Sequence, residues 1–227
     1  MLPDPTPGYV NGVPDGVVVS VCQLDDDRDM PLDEGRALLS PAESARAERF
    51  HFERDRHRQI RGRAFLRREV GRTLGADPRT LILTDGPDGK PRVKGPALEF
   101  NLSHSGDLAV LAISERGPVG IDVELIDRRV DVASLARSVF AGAETDTLLA
   151  LSENLCLLRF LAFWTAKEAR MKLTGEGMGL QPLHIALELN DGWPVGYLRP
   201  ATPAARAAFV DLGDPRAICC LALMDKE

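Results

Sequence analysis

The side chains best equipped for chemistry lie in two segments. One is Gly120-Ile121-Asp122-Val123-Glu124; the other, about forty residues on, is Trp164-Thr165-Ala166-Lys167-Glu168-Ala169-Arg170-Met171-Lys172. The first alternates like a strand, where residues two apart share a face, so Asp122 and Glu124 project the same way. The second has helical spacing, where residues four apart share a face, so Glu168 and Lys172 continue the row begun by Phe160 and Trp164. Carboxylate oxygens with no His or Cys nearby make a hard ligand set, suited to Mg²⁺ and unsuited to zinc. A lysine beside them can neutralise a phosphate. Each pair also has an ordinary reading. Asp122 and Glu124 fit the wet face of a half-buried strand. A Glu168–Lys172 surface pair would add only about 0.3–0.5 kcal/mol.

Asn101-Leu102-Ser103-His104-Ser105-Gly106 sets a histidine between two hydroxyls, in an expected loop after a strand. A serine–histidine hydrolase is one reading, but the G-x-S-x-G turn is absent and neighbours in sequence seldom form a nucleophile–base pair. Donation from His104 to a phosphate, assisted by the hydroxyls, is another; a structural loop histidine is the third. Gly89-Lys90-Pro91 puts a lysine in a rigid turn. Arg46, Arg58 and their neighbours suit bidentate phosphate contact or plain solvation. Gly175-Glu176-Gly177-Met178-Gly179 follows a helix, so it is no dinucleotide loop, and there is no Walker A lysine loop.

The elements that position these groups follow from patterning. Val17 to Val21 reads as a strand. Ser40-Pro41-Ala42-Glu43 is a helix start with a capping box, and the helical pattern runs to about Leu74, with Gly62 as its candidate break. Leu81–Leu83, Leu98–Leu102 and Leu108–Ser114 read as strands. After Gly117-Pro118 the order repeats. A strand at Val119–Leu125 is followed by helices near 132–139, 144–151 and 153–173. Strands at Ile185–Leu189, Val195–Leu198, Ala207–Val210 and Ala217–Leu223 close the chain. This order predicts an α+β protein of two similar lobes, 17–116 and 117–227, behind a flexible leader, 1–16.

The 227 residues, 44% apolar, suffice for one sizeable core or two small lobes. The net charge of −6 speaks against a general nucleic-acid binder. Residues 43–72 are nevertheless basic, with ten Arg against five Asp or Glu, as a confined anionic ligand or a solvated helix face would require. The four cysteines lack metal-ligand spacing and fit thiols in a reducing cytoplasm. The leader lacks the basic and apolar regions of a secretory signal, and no stretch is long enough to cross a membrane.

Taken in order, Gly89-Lys90-Pro91, Phe100-Asn101-Leu102-Ser103-His104-Ser105, Gly120-Ile121-Asp122-Val123-Glu124 and Trp164-x-x-Lys167-Glu168-x-x-x-Lys172 resemble the 4′-phosphopantetheinyl transferase superfamily. The match is to the monomeric two-lobed type that activates peptide and polyketide synthetases. Arg49-Phe50 and Asp55-x-x-Arg58 extend the resemblance into the basic helix, so it covers nearly everything from residue 17 onward. It implies an α+β fold of two pseudo-symmetric lobes, each a small, mostly antiparallel sheet packed by a long helix. It implies Mg²⁺ on Asp122, Glu124 and Glu168, a proton acceptor at Glu168 or Glu124, and Lys172 on the pyrophosphate. Lys90, Ser103 and His104 would bind coenzyme A phosphates, with Arg46 and Arg58 near the 3′-phosphate. Glu43 stands where the family has a lysine on that phosphate. The activity implied is transfer of the phosphopantetheine arm of coenzyme A to a serine of an acyl or peptidyl carrier protein, releasing adenosine 3′,5′-bisphosphate. Membranes and nucleic acids are not expected partners. The rivals are a non-catalytic coenzyme A-binding module, the hydrolase, and a nucleic-acid binder using the 43–72 helix.

Overall fold

The computed structural model describes residues 9–10, 13–86, 89–126, 131–176 and 179–224. The first half runs β1 (Tyr9–Val10), β2 (Val17–Gln23), α1 (Leu32–Leu38), α2 (Pro41–Ala47), α3 (Glu53–Leu74), β3 (Leu83–Asp85), β4 (Pro91–Val93), β5 (Glu99–Ser105) and β6 (Leu108–Ser114). The second runs β7 (Val119–Leu125), α4 (Val132–Val139), α5 (Gly142–Leu149), α6 (Glu153–Thr174), β8 (Ala186–Asn190), β9 (Trp193–Arg199), β10 (Ala205–Val210) and β11 (Ala217–Met224). One antiparallel sheet has the order β2-β6-β5, and the larger has β7-β11-β10-β9-β8. The α+β expectation holds, with one 22-residue helix, α3 or α6, for each sheet.

Strand alternation explains how the layers stack. On β6, Ala109, Leu111 and Ile113 join the core under α3, while Leu108, Val110 and Ala112 enter a second core. On β11, Cys219, Leu221 and Leu223 meet them there, and Ile218, Cys220 and Ala222 face a third core under α6. The order is therefore helix, sheet, sheet, helix, and the middle core is made by both halves of the chain.

Several elements differ from their sequence expectations. The predicted helix from Pro41 to Leu74 breaks at residues 48–52, where Phe52 turns extended, and not at Gly62, which lies inside continuous α3. Ser103, His104 and Ser105 lie in β5 rather than in a loop, because each pairs with β6. The stretch at Leu81–Leu83 shifts to Leu83–Asp85, zipped to Pro91–Val93. Within the expected leader, Tyr9 and Val10 pair in parallel with Phe209 and Val210; residues 1–8 and 11–12 lie outside the described residues. No helix among the described residues is long and apolar enough to cross a membrane.

Arg58, Arg61, Arg63 and Arg67 of α3 are committed to neighbouring segments, while Arg54 and Arg72 keep largely exposed side chains, as a solvated face would. Arg58 forms a fork with Asp25 at 2.7 and 2.5 Å. Arg61 reaches Asp27 and the carbonyls of Leu24 and Met30. Arg63 and Arg67 both hold Glu43.

Candidate active site

β7 sends its side chains to two destinations. Val119, Ile121, Val123 and Leu125 enter the middle core, whereas Gly120, Asp122 and Glu124 face α6. Gly120 sets the approach: a β-carbon there would overlap the Ala169 carbonyl and crowd the Leu173 amide. The helix therefore lies directly on the strand, and its Trp164, Glu168 and Lys172 row meets the two acids. All seven residues of β7 are buried, so the wet-face reading of Asp122 and Glu124 fails. The predicted Glu168–Lys172 surface pair does not form either, because Lys172 turns to Asp122.

Lys172 Nζ donates to Asp122 Oδ1 at 2.7 Å and to Ser103 Oγ at 2.9 Å, and Ser103 Oγ donates to the same Oδ1 at 2.8 Å. Asp122 Oδ2 is buried with no partner. Burial lifts the Asp122 carboxyl above its ordinary range, although Lys172 and Ser103 pull it down. Glu124 is held at both oxygens, by Ser105 Oγ at 2.8 Å and Trp164 Nε1 at 3.2 Å. Glu168 is half-buried and makes no hydrogen bond or ion pair among the described residues. Burial, then the charges of Asp122 and Glu124, raise its carboxyl against the pull of Lys172.

The three predicted ligands thus share one cleft, but they are not a finished cage. Among the described residues no three His, Cys, Asp or Glu groups stand ready to enclose a metal. The reason is visible: an ammonium sits on Asp122, and Glu124 is tied by its neighbours. The donors still fit a hard divalent cation. The buried, unpartnered Asp122 Oδ2 and the unbonded Glu168 carboxylate are oxygens that need a positive partner.

Alternation along β5 separates the residues once grouped around His104. Ser103 and Ser105 point toward β7, while His104 faces α3 and lines a cavity of about 520 Å³ with Arg46, Arg58, Arg63 and Asp85. Neither serine bonds to His104, which removes the hydrolase arrangement. Desolvation and the Lys172 ammonium hold His104 below the ordinary imidazole range, opposed by Asp122 and Glu124, so the cavity and the acidic cleft feel each other. Arg46 pairs with Asp85 at 3.3 Å. Lys90 lies apart from the other predicted phosphate ligands: its Nζ donates to the Val119 and Lys172 carbonyls at 3.0 and 3.2 Å. Glu43 is locked between Arg63 and Arg67 and caps α2 from the Ser40 amide. Lys167 is fully buried on Glu144 at 2.6 Å, a structural role.

Trp164 and Asn101, whose Oδ1 accepts from the Ile121 amide at 2.8 Å, carried no role from sequence, and Ser105, expected to assist a phosphate contact or to serve as a hydrolase serine, holds Glu124 instead. Trp164 was reachable from its four-residue offset to Glu168. Ser105 and Asn101 were reachable from their two-residue offsets to Ser103, once that stretch is a strand.

With its serines spent on carboxylates and its histidine turned away, the cleft supplies charge neutralisation and a proton acceptor rather than a nucleophile. Transfer of a phosphoryl group to an outside acceptor asks for that combination. Residues 32–116 match the family model described as 4′-phosphopantetheinyl transferase, N-terminal, and residues 118–220 match that of the 4′-phosphopantetheinyl transferase superfamily. The chain is 37% identical to the 4′-phosphopantetheinyl transferase HetI of Nostoc sp., over 71% of this chain and 70% of that protein. It is 34% identical to psf-1 of Bacillus pumilus, over 65% of this chain and 62% of the relative. It is 26% identical to Sfp of Bacillus subtilis, over 81% and 82%. The chain belongs to the 4′-phosphopantetheinyl transferase superfamily and is an enzyme of that class.

Proposed function

We propose that the protein transfers the 4′-phosphopantetheine arm of coenzyme A to a serine of an acyl or peptidyl carrier protein, with Mg²⁺, releasing adenosine 3′,5′-bisphosphate. The observation that carries this is the convergence of Asp122, Glu124, Glu168 and Lys172 beside the cavity holding Arg46, Arg58 and His104. The two lobes, 17–116 and 117–227, would meet at that site. Arg46 and Arg58 would take the 3′-phosphate, with Arg46 exchanging Asp85 and Arg58 exchanging Asp25 for it. His104, Ser103 and Lys90 would contact the diphosphate, Lys90 after leaving its two carbonyls.

Asp122, Glu124 and Glu168 would hold the cation. Bound there, Mg²⁺ supplies charge neutralisation on the diphosphate. The carrier serine oxygen forms a bond to the β-phosphorus as the bond to the bridging oxygen breaks, and the nucleotide departs with the electron pair. Glu168 accepts the serine proton: unlike Glu124 it has no hydrogen bond to give up, and its raised carboxyl suits the task. Lys172 follows the charge from Asp122 to the leaving group. Four free, buried thiols support a cytoplasmic setting, and the reading needs only one copy of the chain.

Incubation of an apo carrier protein with coenzyme A and Mg²⁺, read by intact mass, is the test. The carrier should gain one phosphopantetheine arm, and no gain across fatty acid, polyketide and peptide carriers with folded enzyme would end the reading. Tight calorimetric binding of coenzyme A without transfer would favour the non-catalytic module instead.

A further inference from the structure

β5 and β7 are end strands of their own sheets, and they lie side by side with no backbone ladder between them. Buried edges leave amides that need acceptors. Side chains of β5 supply them: Asn101 Oδ1 takes the Ile121 amide at 2.8 Å and Ser105 Oγ takes the Leu125 amide at 3.3 Å. The same face of β5 offers Ser103 to Asp122. The joint is therefore a side-chain seam, repeating every second residue on β5.

The seam has a direction. A hydroxyl carries one proton. Because Ser105 Oγ receives the Leu125 amide, its proton is left for Glu124 Oε2, at 2.8 Å. From the other side α6 holds Oε1 through Trp164. One carboxylate is thus oriented by β5 and α6 together, as groups behind metal ligands commonly are.

We propose that Ser105 is a positioning residue. With Asn101 anchoring the seam, it fixes the Glu124 carboxylate for the divalent cation, so the metal end of the site exists only where the two sheets meet. This rests on the reading of Glu124 as a ligand. In this role Ser105 acts through Glu124 rather than on the substrate or the reacting atoms.

The test compares Ser105→Ala and Ser105→Thr with wild type. It reads Mn²⁺ binding by electron paramagnetic resonance without coenzyme A, kcat and KM for coenzyme A, and thermal stability. Ser105→Ala should weaken Mn²⁺ binding about 10–100-fold and lower kcat by a similar factor. With Mg²⁺ raised to saturate each variant, KM for coenzyme A should stay within about threefold, because the cavity around Arg46 and Arg58 is untouched. Ser105→Thr keeps the hydroxyl and should restore both. Should Ser105→Ala fail to fold, Ser105→Thr against Ser105→Val makes the same comparison, since the two differ by a hydroxyl for a methyl. Mn²⁺ affinity within about twofold of wild type in the folded hydroxyl-free variant overturns the proposal. So does a loss that threonine does not rescue. The Mn²⁺ measurement stands without turnover: a wild-type protein that binds Mn²⁺ yet modifies no carrier would sink the transferase reading alone.

Discussion

Glu124 and Glu168 show how one side-chain type takes two roles from its surroundings. Glu124 has a donor on each oxygen, which orients it. Glu168 has no donor among the described residues and sits near two other acids. Replacing Glu168 by Gln keeps its shape and removes its basicity, so kcat should fall at least about 100-fold, with coenzyme A still bound calorimetrically. An unchanged kcat in folded Glu168→Gln would remove it as proton acceptor. His104 makes a contrasting case. Its imidazole is kept below the ordinary range, hence neutral at pH 7 and able to donate through its N–H. Loss of one hydrogen bond to a charged phosphate costs about 1.5–3 kcal/mol. His104→Ala should therefore raise KM for coenzyme A roughly tenfold or more, leaving kcat nearly intact. A fall in kcat alone would place His104 in the chemistry instead.

At the scale of elements, periodicity reached far into the site. Two-residue spacing put Asp122 and Glu124 on one face, and four-residue spacing put Trp164, Glu168 and Lys172 on another; the contact at Gly120 brings the two faces together. What periodicity could not reach was set by partners distant along the chain. Ser103-His104-Ser105-Gly106 has turn-like composition, and its strand character comes from pairing with β6. The arginines of α3 look like a solvated stripe because Asp25, Asp27 and Glu43 stand twenty or more residues away. Lys90 looks like a phosphate ligand, and only the fold places the Val119 and Lys172 carbonyls against it. The Glu43 knot between α2 and α3 gives a testable consequence. Burial pushes its carboxyl up, but hydrogen bonds from Arg67, the Ser40 amide and Arg63 outweigh this and hold it below the ordinary 4.5. A depressed carboxylate adds stability that is present above its unfolded value and lost as pH falls through the folded one. Unfolding monitored by circular dichroism should therefore show part of the stability disappearing below about pH 4.5. Glu43→Ala leaves Arg67, only 2% exposed at its side chain, with the Pro78 and Leu81 carbonyls but no counter-charge, and should cost roughly 3 kcal/mol at pH 7. A loss under about 0.5 kcal/mol would make the knot an ordinary surface pair.

For the whole molecule, the decisive surface is the one between the sheets. The middle core draws Leu108, Val110 and Ala112 from one half and Ile121, Val123 and Leu221 from the other, so neither half keeps that apolar face dry alone. The proposed substrate would bridge the same boundary, with its nucleotide in the cavity beside α3 and its diphosphate at β7 and α6. Binding that spans both halves stabilises the folded protein as one unit: a ligand at 100 times its Kd adds about 2.7 kcal/mol. For a chain of this size that should raise the melting temperature by roughly 5–10 °C. Coenzyme A with Mg²⁺ should give this shift in a single transition, and coenzyme A with a chelator a much smaller one, since Asp122, Glu124 and Glu168 would then face the diphosphate with no cation between them. Equal shifts with and without chelator would show that the carboxylates do not hold a metal in the complex. A shift confined to one of two separate transitions would show that the ligand is held by a single half, and the bridging geometry would fail with it.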